Sequence, residues 1–436
     1  MSITADNALD VLAKHILRDG MHMIMDFDKS HGNYFHDTRS GKDYLDFFSF
    51  FASLPIGYNH PKTKDPAYLQ KLTRVAQIKP SNADIYTVEM AEFVDTFARI
   101  AGDKNFKHFF FISGGALAVE NALKAAFDWK VRKNMAAGKG QKGSQVIHFR
   151  QAFHGRSGYT MSLTNTDPNK TMYFPQFQWP RIDNPKCRFP MDDQALAEVI
   201  QSEKEAINQI HAALEQHPDD IAAIIIEPIQ SEGGDNHFRA EFLKALREIC
   251  DQQELMLIYD EVQTGIGITG KMWAYDHFPE ALPDLVSFGK KTQVCGIMAT
   301  DRINEVDSVF KVSSRINSTF GGNLVDMVRC QRYLEIIEEE QLVQNAAEVG
   351  AYMQDLLQQV ANNHAKIDNV RGRGLLMAFD CPDKAFRNHL LDKLLESHLL
   401  GLPCGERTVR FRPGLVMNRE DAAKGMEILD QVLQKI

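Results

Sequence analysis

The chain has no paired cysteines. Its six, Cys187, Cys250, Cys295, Cys330, Cys381 and Cys404, lie far apart, with no C-x-x-C pair and no H-E-x-x-H. Disulfide-scaffold and zinc readings therefore have no support, and scattered thiols suit a reducing compartment. Positive charge is also not in excess: Asp plus Glu outnumber Lys plus Arg by 58 to 49, for a net charge of -9. That balance argues against a nucleic-acid or anionic-membrane surface. Long hydrophobic runs are missing too. The longest purely aliphatic one, Ile221 to Ile226, is far too short to span a bilayer. The first twenty residues hold no signal-peptide core, and Leu9, Leu12 and Ile16 keep the spacing of an amphipathic helix. No period repeats and no low-complexity tract occurs. The expectation is a cytoplasmic protein with no metal, nucleic-acid or membrane partner.

What is present is enough apolar residue, 44% of 436 positions, for a large core and two or three domains. Three segments differ in texture: 1–70, 71–324 and 325–436. In the middle one, short apolar runs alternate with helical patterns. The runs are "KHFFFIS", "QVIHFR", "IAAIIIEP", "LMLIYDEV" and "DLVSF". Runs this continuous suit strands covered on both faces, and their alternation with helices predicts a mostly parallel sheet in an α/β fold. A long helical pattern from position 326 to position 360 leads into "VRGRGLLMAFD" and "RTVRFRPGL", the texture of a smaller α+β domain.

Ligands of an open parallel sheet gather at the carboxyl ends of its strands. After "HFFFI" comes Ser113-Gly114-Gly115-Ala116 opening a helix, an anion cradle or merely a tight turn. After "VIHFR" comes "QAFHGRSG", where Phe153 offers a ring to a planar ligand and Arg156 a fork to a carboxylate. Taken singly, these are more often a core phenylalanine, a satisfied histidine and a surface arginine. Glu227 and Glu232 follow "IAAIII", and Asp260 ends "LMLIY". An aspartate at the tip of a buried strand needs a cation or hydrogen-bond donors. Lys290 and Lys291 follow "LVSFG"; such a pair is usually a solvated turn, but a partly buried lysine is a usable nucleophile. These weak signals fit one ligand. Pyridoxal phosphate needs an amine for its aldehyde, an acid for its ring nitrogen, an anion cradle and a ring to stack on.

With those residues in view, the chain resembles the class III (ω-amino) aminotransferases of the fold-type I pyridoxal phosphate enzymes. "GKDYLDFFSFFASLPIGYNHP", "SGGALAVENALKAA", "AFHGRSGYT", "EPIQSEGG", "DEVQTGIGITG", "FGKK", "NSTFGGN", "VRGRGL" and "VRFRPGL" occur in the family's order. Within it, "FGKKTQVCG", "EGGDNHFR" and "NSTFGGN" look most like the members that take the ε-amine of lysine. The resemblance implies a large cofactor-binding domain over 71–324 and a small one from 325–436 joined by 1–70. It implies Lys290 as the Schiff-base lysine rather than Lys291, and Asp260 as partner of the ring nitrogen. Gly115 and Ala116 would hold the phosphate, Phe153 would stack on the ring, and Gln263 would reach the ring hydroxyl side. Thr319 would touch the phosphate in the other subunit, which implies a homodimer with shared sites.

For substrates the resemblance implies L-lysine and 2-oxoglutarate. Arg410 would bind the α-carboxylate of 2-oxoglutarate and be masked by Glu232 when lysine is present. Arg156 would take the carboxylate at the far end, and Asn317 would line the pocket. The pattern departs from the family at Ser231, commonly glycine, and Gly414, commonly proline. Other ω-amino donors (ornithine, acetylornithine, 4-aminobutyrate) share the same cofactor residues. Two further readings are a non-catalytic binder on this fold and an NADP-dependent oxidoreductase. The latter rests on "GIGITG" from Gly265 to Gly270, although no acid follows at the expected distance.

Overall fold

The computed structural model describes residues 2–436. Its centre is a seven-stranded sheet. In sheet order the strands are Phe106–Ile112, Cys295–Thr300, Leu285–Phe288, Met256–Asp260, Ile221–Ile226, Gln145–Phe149 and Arg181–Ile182. All run parallel except Cys295–Thr300, which is antiparallel to both neighbours. Every residue of Ile221–Ile226 and of Met256–Asp260 is buried, which explains the unbroken apolar lettering of these strands. The fold is the α/β class with a mostly parallel sheet that the sequence predicts.

Helices Gly115–Ala136, Asp193–Gln216 and Ala240–Gln252 make the crossovers. The first turns Ala118, Val119, Ala122, Leu123, Ala126 and Trp129 into the core, and its alanines let it lie close to the sheet. Each large aliphatic or aromatic side chain so buried contributes roughly 1.5–3 kcal/mol.

Two smaller sheets complete the chain. Asp368–Arg373, Leu376–Asp380, Thr408–Phe411 and Leu402–Cys404 form an antiparallel four-stranded sheet. Tyr34–Asp37 and Lys42–Asp46 form a hairpin, and Leu399–Leu400 adds to it in parallel. The first seventy residues are thereby hydrogen-bonded to the last segment.

Two local expectations change. The helical pattern after position 326 is two helices, Leu324–Glu339 and Leu342–Asn363, because Gln341 adopts a left-handed φ of 54°. The N-terminal helix exists as Ala5–Ala13, but none of its residues is buried, and Ile16 lies beyond its end.

Strand Lys42–Asp46 leads into an unusual turn. Ser49, Phe50, Phe51 and Ala52 all have left-handed φ values of 40–64°, unfavourable for side chains with a Cβ. Hydrogen bonds, near and distant in sequence, hold the start of this turn. Asp46 accepts from the N–H groups of Phe48 (2.7 Å) and Ser49 (2.8 Å), and Ser49 Oγ donates to the Arg412 carbonyl.

Candidate active site

A cavity of about 770 Å³ opens at the carboxyl ends of the parallel strands. It is lined by Gly115, Ala116, Phe153, Arg156, Glu232, Asp260, Gln263 and Lys290, among others. Eight of the candidate residues thus share one space. A second hollow of about 840 Å³ lies outside helix Gly115–Ala136. Its central carboxylate, Asp128, is already paired with Arg132 at 2.9 Å and with Arg315.

Strand register brings the amine and the acid together. Asp260 stands level with Ser287 on the neighbouring parallel strand, and Lys290 follows three residues later. Asp260 is buried, and its Oδ2 lies 2.8 Å from His154 Nδ1. Its Oδ1 accepts from Ser287 Oγ and from the Val262 N–H, both at 3.2 Å. One edge of the carboxylate therefore stays open toward the cavity while three donors fix its plane. The sequence treats His154 as a merely satisfied histidine, and its partner turns out to be this aspartate.

The two adjacent lysines have opposite surroundings. Lys290 reaches into the cavity, its Nζ 5.7 Å from the centre of the Phe51 ring. Burial, and then the nearby Arg410 charge, push its amine down to about 8. Lys291 points the other way. Its Nζ donates to the Gln263 carbonyl at 2.6 Å and the Ala52 carbonyl at 3.4 Å, deep in the protein. Burial and the charge of Lys290 hold its amine well below the usual lysine range. Gln293 Nε2 adds a bond to the Ser53 carbonyl at 2.8 Å.

An anion cradle faces the same space. Gly114 precedes helix Gly115–Ala136 and offers no side-chain cap, so the first N–H groups are free for a ligand. Gly155 closes the cradle. It has a φ of +123°, and a Cβ there would lie 2.5 Å from that of Ala116; only glycine fits. Phe153 is tethered through its N–H to Glu227 Oε1 at 3.0 Å, and Glu227 Oε2 accepts from the Ser231 N–H at 3.0 Å. Burial pushes the Glu227 carboxyl up to about 7.

Gln263 Oε1 is buried without a partner, which leaves an acceptor waiting for a ligand hydroxyl. Uncapped helix start, tethered ring, held carboxylate, softened amine and orphaned amide together fit pyridoxal phosphate.

Next to Glu232 of the cavity wall, Arg410 is 1% exposed. Its Nη2 donates to Glu232 Oε2 at 2.7 Å, while its Nε and Nη1 have no partner. A buried guanidinium with two unused nitrogens is a carboxylate receptor in waiting. Burial raises the Glu232 carboxyl, but Arg410 and Lys170 outweigh it and hold the group below its usual range. The pair forms with Ser231 preceding Glu232, while Gly414 packs against Leu54, Pro55 and Gly57. Arg156 lies at the mouth, exposed, with no ion pair among the described residues.

Asn317 departs from expectation, whereas Thr319 is expected at the site of another subunit and not at this one. Asn317 and Thr319 are exposed and do not line this chain's cavity; the Thr319 carbonyl instead accepts from Ser81 Oγ at 2.5 Å. Lys170, unnoticed in the sequence because it lies 62 residues from Glu232, holds that carboxylate's other oxygen at 2.7 Å. The Gly265–Gly270 loop is no phosphate cradle. Gly265 to Thr269 are buried, and Gly267 and Gly270 pack against Val343, Leu415 and Ala347.

The model of the aminotransferase class-III family matches residues 16–433. L-lysine-epsilon aminotransferases of Mycobacterium tuberculosis and Streptomyces clavuligerus are 51% and 47% identical to the chain. The alignments cover 95% and 100% of this chain and 92% and 94% of those proteins. A solved structure of lysine aminotransferase from M. tuberculosis in the internal aldimine form superposes with a TM-score of 0.97 at 48% identity, over 99% of this chain and 100% of that one. The chain belongs to the class III aminotransferases.

Proposed function

We propose that this pyridoxal phosphate enzyme is an L-lysine 6-transaminase. It moves the ε-amino group of L-lysine to 2-oxoglutarate and gives glutamate and the 6-semialdehyde, which cyclises to 1-piperideine-6-carboxylate. The observation that carries the reading is the buried Arg410, masked by Glu232 at 2.7 Å yet keeping two free nitrogens. A distal-amine donor brings no carboxylate to this end of the cavity, whereas 2-oxoglutarate does. One receptor must therefore be silent for the first and available for the second. The names of the relatives at 47–51% identity, L-lysine-epsilon aminotransferases, support the choice of donor.

When bound, pyridoxal phosphate supplies an aldehyde for amines and a ring that delocalises the electron pair left on deprotonation. Lys290 is the anchoring amine. With the cofactor in place it would also be positioned to move the proton as general base and then acid, for which an amine near pH 8 is suited. Asp260, oriented by His154 and Ser287, would hold the proton on the ring nitrogen. Gly115 and Ala116 would give N–H groups to the phosphate, Phe153 would cover the ring, and Gln263 would meet the ring hydroxyl. Arg156 binds the lysine α-carboxylate at the mouth and afterwards the distal carboxylate of 2-oxoglutarate.

Asn317 and Thr319 serve the site of a second copy in a homodimer. Their exposure supports this, as do the neighbouring apolar side chains of Ile85, Tyr86 and Phe320, 71%, 76% and 39% exposed. Domain limits of 71–324 for the cofactor-binding part and 325–436 with 1–70 for the small part accord with the sheet pairing.

The test is a side-by-side assay of lysine, ornithine, N-acetylornithine and 4-aminobutyrate with 2-oxoglutarate. Lysine should give the highest kcat/KM, with 1-piperideine-6-carboxylate as product. A higher value for another donor, or the 2-carboxylate isomer that α-transamination yields, would overturn the proposal.

A further inference from the structure

We propose that Lys170 is a specificity-determining residue: the second cation that keeps the Glu232 carboxylate when Arg410 releases it to a substrate carboxylate. This rests on the reading of Arg410 and Glu232 given above. Glu232 is not simply paired with Arg410. Its Oε2 meets Arg410 Nη2 and its Oε1 meets Lys170 Nζ, each at 2.7 Å. Lys170 itself is fixed from two sides. Its Nζ donates to Thr166 Oγ1 at 3.1 Å and stands 5.3 Å from the centre of the Phe153 ring. It sits at the end of the short turn Pro168–Lys170, on the cavity wall.

Charge counting gives the consequence. With Arg410 masked, the trio of Arg410, Lys170 and Glu232 carries one net positive charge. When a dicarboxylate places a carboxylate on Arg410, the group becomes neutral, and Glu232 still has a counterion on its other oxygen. Without Lys170 the same step would leave two carboxylates sharing one guanidinium, with Glu232 displaced into a half-buried space unpaired. Lys170 therefore favours the oxo-acid half of the reaction. It does nothing comparable for lysine, which brings an amine to this end.

The residue acts through Glu232, so the test separates that from a merely structural role. Lys170→Met, Lys170→Arg, Glu232→Gln and the double variant Glu232→Gln/Lys170→Met are compared as holoenzymes; Lys170→Gln replaces the methionine variant should the latter not fold. Glutarate, a dicarboxylate with no keto group, is the binding probe, read by calorimetry. Lys170→Met should weaken glutarate about tenfold and raise the KM for 2-oxoglutarate similarly. The kcat, and the KM for lysine, should stay within about twofold. Lys170→Arg should restore both values, and in the Glu232→Gln background the Lys170→Met effect should shrink to under about threefold. Unchanged glutarate affinity, equal loss for both substrates, or an undiminished effect without the Glu232 charge would each overturn the proposal. Should the wild-type protein reject lysine as donor, the donor assignment falls, while the glutarate comparison still decides the role of Lys170.

Discussion

Replacing Lys290 by methionine should make the apoenzyme more stable, and only below a definite pH. The methionine keeps the apolar stem and deletes the amine. In the folded chain that amine titrates near 8, and unfolding returns it to its ordinary 10.5. Between these values the unfolded chain binds more protons, so the wild-type protein gains stability as pH rises through the window. Below about pH 8 it carries the full penalty of a charged amine in a half-dry site. The shift corresponds to about 3 kcal/mol at most, and roughly 1–2 kcal/mol once water in the open cavity screens the charge. Lys290→Met lacks this penalty. Its apoenzyme should unfold about 1–3 °C higher at pH 7, and the gap should close by pH 10.5. Thermal unfolding of both apoproteins at three pH values measures it. The same shift makes about a tenth of Lys290 a free amine at pH 7, against roughly one in 3,000 for an ordinary lysine, a gain of about 300-fold in reactive form. Two results would refute the reasoning: no gain in stability at pH 7, or a gain that does not change with pH.

Two further outcomes are expected. Lys291→Met removes the donor to the Gln263 and Ala52 carbonyls and should destabilise the fold by about 1–3 kcal/mol. It should still trap pyridoxal phosphate on Lys290, as borohydride reduction and peptide mass would reveal; an adduct lost in Lys291→Met but kept in Lys290→Ala would reverse the assignment. Glu232→Ala unmasks Arg410, so kcat/KM for glutamate as donor should rise about tenfold relative to lysine, whereas an unchanged ratio would count against the switch.

The strand ends were legible in the sequence because this sheet buries both faces. "IAAIII" and "LMLIY" have no polar alternation, so the first polar letter after each run marks the rim of the cavity. That rule brings Asp260, Glu227 and Lys290 to one place, and the parallel register of Asp260 with Ser287 agrees. Other features depend on partners far along the chain. Lys290 and Lys291 differ by one position, but what separates them is the Gln263 carbonyl that holds Lys291. Lys170 meets Glu232 only because both walls of the cavity converge, and nothing in "DPNKTMYF" announces it. The break at Gln341 was hidden because glutamine is a good helix former and the apolar spacing runs through it. Asn317 and Thr319 carry no local signal that sets them outside this chain's own cavity.

The left-handed stretch at Ser49–Ala52 makes the beginning of the chain part of the catalytic floor. Through it, a segment near the start is stitched to Arg412 near the end and to Lys291 beside the reactive amine. An amino-terminal trim past this latch would strip Phe51 and Ser53 from the cavity wall and take one acceptor each from Lys291 and Gln293, leaving them only the Gln263 and Lys290 carbonyls. Shortened versions made for expression should keep the Tyr34–Asp46 hairpin and everything after it. Limited digestion that clips this stretch should release the cofactor in step with the cut, well before the remainder melts.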